Sequence, residues 1–329
     1  MSMLSAAFAT LILGEPTRLG ALTVFPLLGP DDRVSDYLTL DEALARQALR
    51  VTEVSTGGVV PELKVVNDGA VPVLLLDGEL LVGAKQNRIL NLTILVPAKG
   101  ELTIPVSCVE AGRWSWRGEQ FHAGNSAAPS RVRGAKAAHV SDSLAFRGDR
   151  RSDQSQVWEA VDREMAESEV TSPSRDMHRA FEAKEHELER FERELPRAAN
   201  QRGALFGVGL RVAGLDLFDQ ASTFAKYCPK LVRSYGLEAL ALRGGKENLT
   251  AEAAARFFDA LGGAAVQEYP AIGLGADLRL SAPGLTGAAL ALDGRIAHLC
   301  AFARDEERRR DPQTDTPMAP AWLRRRRVA

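Results

Sequence analysis

Four consecutive polar residues, Lys85, Gln86, Asn87 and Arg88, interrupt the largely apolar run DGELLVGAKQNRILNLTILVPAKGELTIPVSCVEAGRW that extends from Asp77 to Trp114. Lysine supplies a point charge and arginine a planar fork of donors, two groups that together suit a diphosphate. Glutamine and asparagine each carry donors and an acceptor, which suits a base edge or a ribose hydroxyl. The pattern predicts an anion site in which Lys85 and Arg88 hold phosphate while Gln86 and Asn87 fix orientation. The competing reading makes the same four residues the internal network of a turn or of two strands. If the run stays extended, Lys85 and Asn87 share one face and Gln86 and Arg88 the other, and polar groups on a buried face need partners.

The stretch returns to Cys108, Glu110 and Arg113. Residues two apart on a strand point the same way, so Cys108 and Glu110 are expected on one face. A thiolate nucleophile needs a lowered pKa and a base. His122 and His298 are the imidazoles that folding can bring near, and His298 completes the candidate catalytic set Cys108, Glu110 and His298. The alternative is a buried, inert cysteine. Glu79 and Glu110 offer a carboxylate pair for acid–base work or Mg²⁺, against the plainer reading that they pair with Lys85, Arg88 or Arg113. No third ligand follows by spacing, so no metal site is predicted. Arg131, Arg133 and Lys136 follow Pro129 in what reads as a basic loop able to close over an anion. Trp158, close to Gln154 at a helix start, can stack on a base or fill a core, as can Trp114 and Trp116.

The elements that must position these groups differ along the chain. Up to residue 118 the pattern is mostly strand, in runs at 22–28, 51–54, 64–66, 73–76, 79–82, 89–96 and 102–109. Turn signals at Gly57-Gly58, Asp68-Gly69, Asp77-Gly78 and Lys99-Gly100 separate them. Thr39 is placed to cap a helix through residue 48. Residues 118–155, rich in Gly, Ser, Ala and Arg, read as a loop. Residues 156–195 read as charged amphipathic helix, with Phe181 and Phe191 near one stripe and Pro196 as its stop. Beyond it come a hairpin at 204–217, a helix at 221–243, a helix capped by Thr250, and strands at 278–280, 287–292 and 296–302. The expected fold is α+β: a β-rich N-terminal half, sandwich or barrel-like, packed with a mixed helix and hairpin C-terminal half. The expected divisions are 1–118, 119–200, 201–304 and an Arg/Pro-rich tail at 305–329.

Bulk properties exclude several classes. Of 329 residues, 45% are hydrophobic and 26% charged, which is ordinary for a globular protein, and the net charge of -2 argues against an electrostatic nucleic-acid binder. Three scattered cysteines make neither a disulfide framework nor a zinc spacing, and they point to a reducing cytoplasm. The apolar run at 6–13 has no basic residue before it and reads as a first strand or short helix rather than a signal peptide. No run approaches the roughly 20 apolar residues of a membrane span. Gly207-Val208-Gly209 and Gly273-Leu274-Gly275 lack the spacing of a dinucleotide fingerprint, and there is no Walker lysine loop, HExxH or GxSxG. The arginine run at 324–327 reads as a solubilising tail.

The Lys-Gln-Asn-Arg and Cys-Val-Glu elements resemble those of a prokaryotic family, the ADP-ribosylglycohydrolase and rhodanese-phosphatase-superfamily-associated protein domain. Further matches lie at 152–159 (SDQSQVWE), at the turn 214–218 and at 295–302 (RIAHLCAF), so the resemblance covers about residues 20–302. It implies a role near NAD-derived nucleotides, by association rather than by a demonstrated reaction. The expectation is therefore a domain that binds or processes a phosphorylated, nucleotide-like small molecule, with no cofactor specified. The alternative is a noncatalytic assembly protein, a homo-oligomer formed through the helices of 156–195.

Overall fold

Two alternating apolar patterns organise the chain, one closing on itself and one lying open. The computed structural model describes residues 3–31, 35–242 and 247–304. The chain begins with α1 (Met3–Ala9), β1 (Ile12–Leu13), β2 (Thr17–Leu19), β3 (Leu22–Leu28), β4 (Leu38–Thr39) and α2 (Leu40–Ala45). Then come β5 (Leu49–Glu53), β6 (Glu62–Asn67), β7 (Val73–Leu75), β8 (Glu79–Ala84), β9 (Arg88–Leu90), β10 (Ile94–Val96), β11 (Gly100–Cys108) and β12 (Arg117–Ala127). Four helices follow: α3 (Ser130–Arg147), α4 (Gln154–Glu167), α5 (His178–Ala183) and α6 (Glu185–Glu194). The last part comprises β13 (Gln201–Val208), β14 (Arg211–Phe218), α7 (Ala221–Ala241), α8 (Ala251–Gly262), β15 (Ala265–Pro270), β16 (Ala276–Ala282), β17 (Leu285–Leu292) and β18 (Arg295–Ala303).

Six strands close into a barrel in the order β11-β6-β5-β12-β8-β9. Alternate residues fill its lumen, among them Val51, Val65, Leu81, Leu90, Val106 and Phe121. The same period of two carries Glu53 after Val51, Arg88 before Leu90 and Cys108 after Val106 onto the inner side at one end. Outward residues Leu80 and Ile89 pack against Val132, Val157, Val161 and Phe181 of the helices. The second sheet runs β1-β3-β13-β14-β18-β17-β16-β15, with β2 beside β3. Val24, Phe206 and Phe218 on one face meet Phe224, Tyr227 and Tyr235 of α7. Phe25, Leu205 and Leu215 on the other meet Leu4, Phe8 and Leu261 of α1 and α8. A small sheet, β10-β7-β4, completes the framework.

The α+β expectation holds, and several local ones do too. Thr39 caps α2 in a full capping box with Glu42. The expected hairpin is β13–β14, and Thr250 caps α8. Three readings change. The N-terminal strands β1–β3 belong to the C-terminal sheet, because β3 pairs with β13. Residues 118–155 are largely β12 and α3 rather than a loop. The inward face of α3 carries Ser130, Arg133 and Lys136, so its buried side does not read as apolar periodicity. The charged segment breaks into α4, α5 and α6, and Phe181 and Phe191 are buried within the monomer. The end of the predicted helix at 243 and the tail at 305–329 lie outside the described residues. Among the described residues, no helix is long and apolar enough to cross a membrane.

α7 lies between the barrel and the open sheet. Pro229 within it removes the N–H that the Ala225 carbonyl would receive, and Arg197 Nη1 donates to that carbonyl at 3.0 Å instead. Tyr227 Oη donates to the Leu74 carbonyl at 2.7 Å, and Lys230 Nζ pairs with Glu79 at 2.6 Å. Beside α7 sits a fully buried charge network. Arg133 of α3 donates twice to Asp216 of β14, at 2.6 and 3.1 Å, and once to Asp77 at 3.2 Å. Lys136 pairs with Asp77 and donates to the Asn91 carbonyl at 2.8 Å. Tyr235 of α7 donates to Asp216 at 2.8 Å, and His298 of β18 bridges Asp216 and Thr93 at 3.2 and 2.7 Å. Gly78 makes room for it: its φ is +74°, and a Cβ there would meet Arg133 Cγ at 2.7 Å.

Burial pushes the Asp216 carboxyl up, but the Arg133 guanidinium and His298 outweigh it and hold Asp216 well below the usual carboxylate range. A depressed carboxylate contributes stability that is full above its unfolded pKa of about 3.9 and is lost as pH falls through the folded value. Replacing Arg133→Met leaves Asp216 short of its counter-charge in the core. Urea denaturation at neutral pH is expected to show a loss of about 3–5 kcal/mol. A change below about 1 kcal/mol would contradict the dependence on this pair.

Candidate functional site

The polar quartet is a turn. β8 ends at Ala84 and β9 starts at Arg88, with Leu81 opposite Arg88. Gly83 and Ala84 take φ of +130° and +37°, so the chain reverses here instead of continuing extended. Asn87 holds the turn: its Oδ1 accepts from the Gly83 N–H at 3.1 Å and its Nδ2 donates to Asp176 at 3.0 Å. Gln86 Nε2 donates to the Glu110 carbonyl at 2.8 Å, while its Oε1 accepts from Arg88 Nη1 and from the Cys108 thiol, each at 3.0 Å. Lys85 Nζ donates to the Gly57 carbonyl at 2.6 Å and lies 5.2 and 5.1 Å from the ring centres of Trp114 and Trp116.

Arg88 is the exception in this network. It is 0% exposed, stacks 5.5 Å from the Trp114 ring and reaches Glu53 only at 3.9 Å. Among the described residues its Nε and Nη2 donate no hydrogen bond, and Glu53 Oε2 and Arg113 Nε around it are also unpartnered. Above this polar layer lies the tip of the β5–β6 hairpin. Gly58, with φ of +71°, sits so close that a Cβ would meet Lys85, Glu53 Oε2 and Trp114 at 3.1–3.2 Å. Trp114 and Trp116 lie beside Lys85 and stay 46% and 49% exposed.

Electrostatics separate the candidates. Burial raises the Cys108 thiol above its ordinary pKa, and the nearby Arg88 charge only partly offsets it. Burial also raises Glu53 against the pull of Arg88. Burial acts upward on Glu110, but Arg113 and the Asn87 N–H hold it below the usual range. The Glu110 carboxylate is fully engaged, with Arg113 at 2.6 Å, Asn87 N at 3.1 Å and Ser174 at 3.1 Å.

The structure brings together Lys85, Gln86, Asn87, Arg88, Cys108, Glu110 and Trp158, and it places the other predicted residues elsewhere. His298 belongs to the Asp216 network, so it is not the base of a Cys108 pair. Glu79 pairs with Lys230 and not with Glu110. Arg133 binds Asp216, and Arg131 binds Glu167 and Glu238. Among the described residues, no group of His, Cys, Asp and Glu side chains is arranged to hold a metal ion. Sequence reasoning missed Glu53 and Asp176. It also missed the bracket in which Gln154 accepts from the Cys108 N–H and donates to the Cys108 carbonyl, both at 2.8 Å. The signal for Glu53 was its place two residues after Val51 on a strand that ends at a Gly-Gly turn.

Comparison with protein-family models finds one that spans residues 10–302. The chain belongs to that family, ARPP-1, the ARG and Rhodanese-Phosphatase-superfamily-associated Protein domain. Searches among curated proteins and among solved structures each returned no match. The ARPP-1 match takes in both the barrel and the open sheet, so the barrel end described above lies inside the family domain. The description names associated superfamilies and no reaction.

The thiol chemistry has a direct check. Cys108, Cys228 and Cys300 are all buried, and burial raises each thiol, Cys228 to about 12. Iodoacetamide at neutral pH is expected to label all three slowly in the native protein and rapidly after denaturation. Fast native labelling of Cys108 alone would restore the nucleophile reading.

Proposed function

We propose that the barrel end around Arg88 binds a phosphorylated, nucleotide-like small molecule, with ADP-ribose or another NAD-derived compound as the first candidate. One observation carries the reading: a fully buried guanidinium keeps two donor groups uncommitted beside a pair of half-exposed indoles. A buried donor without an acceptor costs about 1–3 kcal/mol, and a phosphate oxygen would remove that cost. Lifting the tip of the β5–β6 hairpin would release the Lys85 ammonium from the Gly57 carbonyl and open a path to Arg88. Lys85 and Arg88 then hold phosphate. Trp114 or Trp116 stacks on the base, an interaction that tolerates any planar ring.

Gln86 and Asn87 act differently from the sequence expectation. Their hydrogen bonds are spent on the turn, so they position Arg88 rather than read the ligand. Cys108, protonated and donating to Gln86, packs the layer, and Glu110 anchors the turn through Asn87. We read it as a binding module, and its three unpaired thiols suit a reducing, cytoplasmic setting.

Thermal shift with ADP-ribose, NAD and nucleoside phosphates tests the proposal. Ligand at about 100 times its Kd stabilises a protein by about 2.7 kcal/mol, a readily measured shift. Trp114→Ala, at an exposed position that spares the fold, is expected to weaken binding by about 1–3 kcal/mol. Lys85→Ala should weaken it as well. No shift with any of these compounds, or a shift indifferent to both substitutions, would defeat the assignment.

A further inference from the structure

A cleft of about 560 Å³ opens between α3, α4 and the strands β14, β17 and β18. It exists because the facing residues are small, among them Gly134, Ala138 and Ala160. Its charged lining is mostly cationic: Arg131, Arg163, Arg211 and Arg304, against Asp142 and Glu164. Among the described residues, Arg163 and Arg304 have no ion-pair partner.

Glu164 is the informative group. It is 1% exposed, lines the cleft, and its Oε1 has no hydrogen-bond partner. His139 Nδ1, also in the lining, is likewise unpartnered. The neighbouring Glu238 of α7 is different. It accepts from Ser130 Oγ at 2.7 Å and from the Arg131 N–H at 3.0 Å, closing the N-terminus of α3, and it pairs with Arg211. Glu238 is thus saturated, while Glu164 faces open space with a polar atom to spare.

The charged groups around Glu164 come from every element packed on it: Arg131 of α3, Glu167 of its own helix, Glu238 of α7 and Arg211 of β14. Burial first, and then the Glu238 carboxylate, push Glu164 up to about 8, with Arg131 pulling the other way. A carboxyl raised in this way takes up a proton more readily than an ordinary one, and the protonated form offers an O–H donor. A set of guanidinium N–H groups, an imidazole and a carboxyl O–H suits an oxyanion and disfavours a cation.

We propose that this cleft is a separate binding site for a small oxyanion, held by Arg131, Arg163 and Arg211 and contacted by the Glu164 carboxyl at its floor. Phosphate and carboxylate ligands share that chemistry. The site is distinct from the barrel end, because neither Arg88 nor Trp114 lines it.

Isothermal titration of the full chain at low ionic strength, with inorganic phosphate in one arm and succinate in the other, tests it. The arm that saturates names the source. Succinate keeps a constant charge between roughly pH 6.5 and pH 9, so a fall in its affinity across that range reports ionisation of the protein. For succinate, affinity is expected to fall about tenfold from the lower to the higher pH, as an ionised Glu164 repels the ligand; for phosphate, which itself ionises within the range, the pH dependence is read as the difference between the parent and Glu164→Gln. Glu164→Gln keeps a neutral donor, so it should bind and lose the Glu164-dependent part of that fall. Arg163→Glu, at an exposed and unpaired position that spares the fold, should weaken binding several-fold. Trp114→Ala should leave it unchanged. The proposal fails if neither anion binds saturably, if Glu164→Gln retains the full pH dependence, or if Arg163→Glu binds like the parent.

Discussion

The bidentate contact between Arg133 and Asp216 is what the rest of the molecule depends on. It joins α3, which lies on the barrel, to β14, which lies in the open sheet, and Asp77 ties the same guanidinium to the turn before β8. Each charge alone would cost several kcal/mol to bury. Together, with Lys136, Tyr235, His298 and Thr93, they leave Arg133 and Asp216 with no unpartnered atom among those described. A contact so specific in direction fixes how the barrel meets the sheet in a way that apolar packing by α7 alone would not.

That completeness gives a standard for the other buried polar groups. The Glu79–Lys230 pair is satisfied in the same manner, with Asp41 as a second acceptor for Lys230. Arg88 and Glu164 fall short of it. One keeps free donors beside half-exposed aromatic rings, the other a free oxygen in a cleft whose lining includes four arginines. Natural proteins pair nearly all buried polar atoms, so the exceptions mark places where something else supplies the partner. The three predicted residues drawn into the Asp216 and Lys230 networks, Arg133, His298 and Glu79, have no such deficit, and their chemistry is structural.

The sequence made the elements legible where one physical rule dominated. β-rich runs between turn signals revealed five of the six barrel strands, β12 having read as loop, and Thr39 marked a helix start, to which the structure adds Glu42 as the other half of a capping box. Pairing between distant strands was not legible: nothing local in LTVFPLL says that it lies against β13. α3 was hidden for a different reason. Its inward face is charged, and only the tertiary partners Asp77 and Asp216 make that face a core. At the site, the residue types of the quartet were informative about an unusual segment, but their roles depended on a reversal at Gly83 and Ala84 that an extended reading could not contain. Glu53, Arg113 and Asp176 converge from three separate regions, which no spacing in the sequence encodes.

The barrel end also joins a tightly bonded floor to a short hairpin tip, an asymmetry that suits the binding role proposed for it. Its floor is over-determined: Gln154 grips the Cys108 backbone from both sides, Gln86 is fixed by the Glu110 carbonyl, and Asn87 is fixed by Gly83 and Asp176. Unpaired donors on Arg88 persist because that floor does not let the guanidinium turn away toward other acceptors. Over this floor lies the tip of the β5–β6 hairpin. The Lys85 contact to Gly57 joins a lysine, whose stem has many rotamers, to a hairpin tip of two glycines, one in the left-handed region. On the reading proposed above, a fixed floor with unmet donors beneath a short glycine tip would confine the ordering cost of binding to the few residues of that tip, with the groups that meet the ligand already in place.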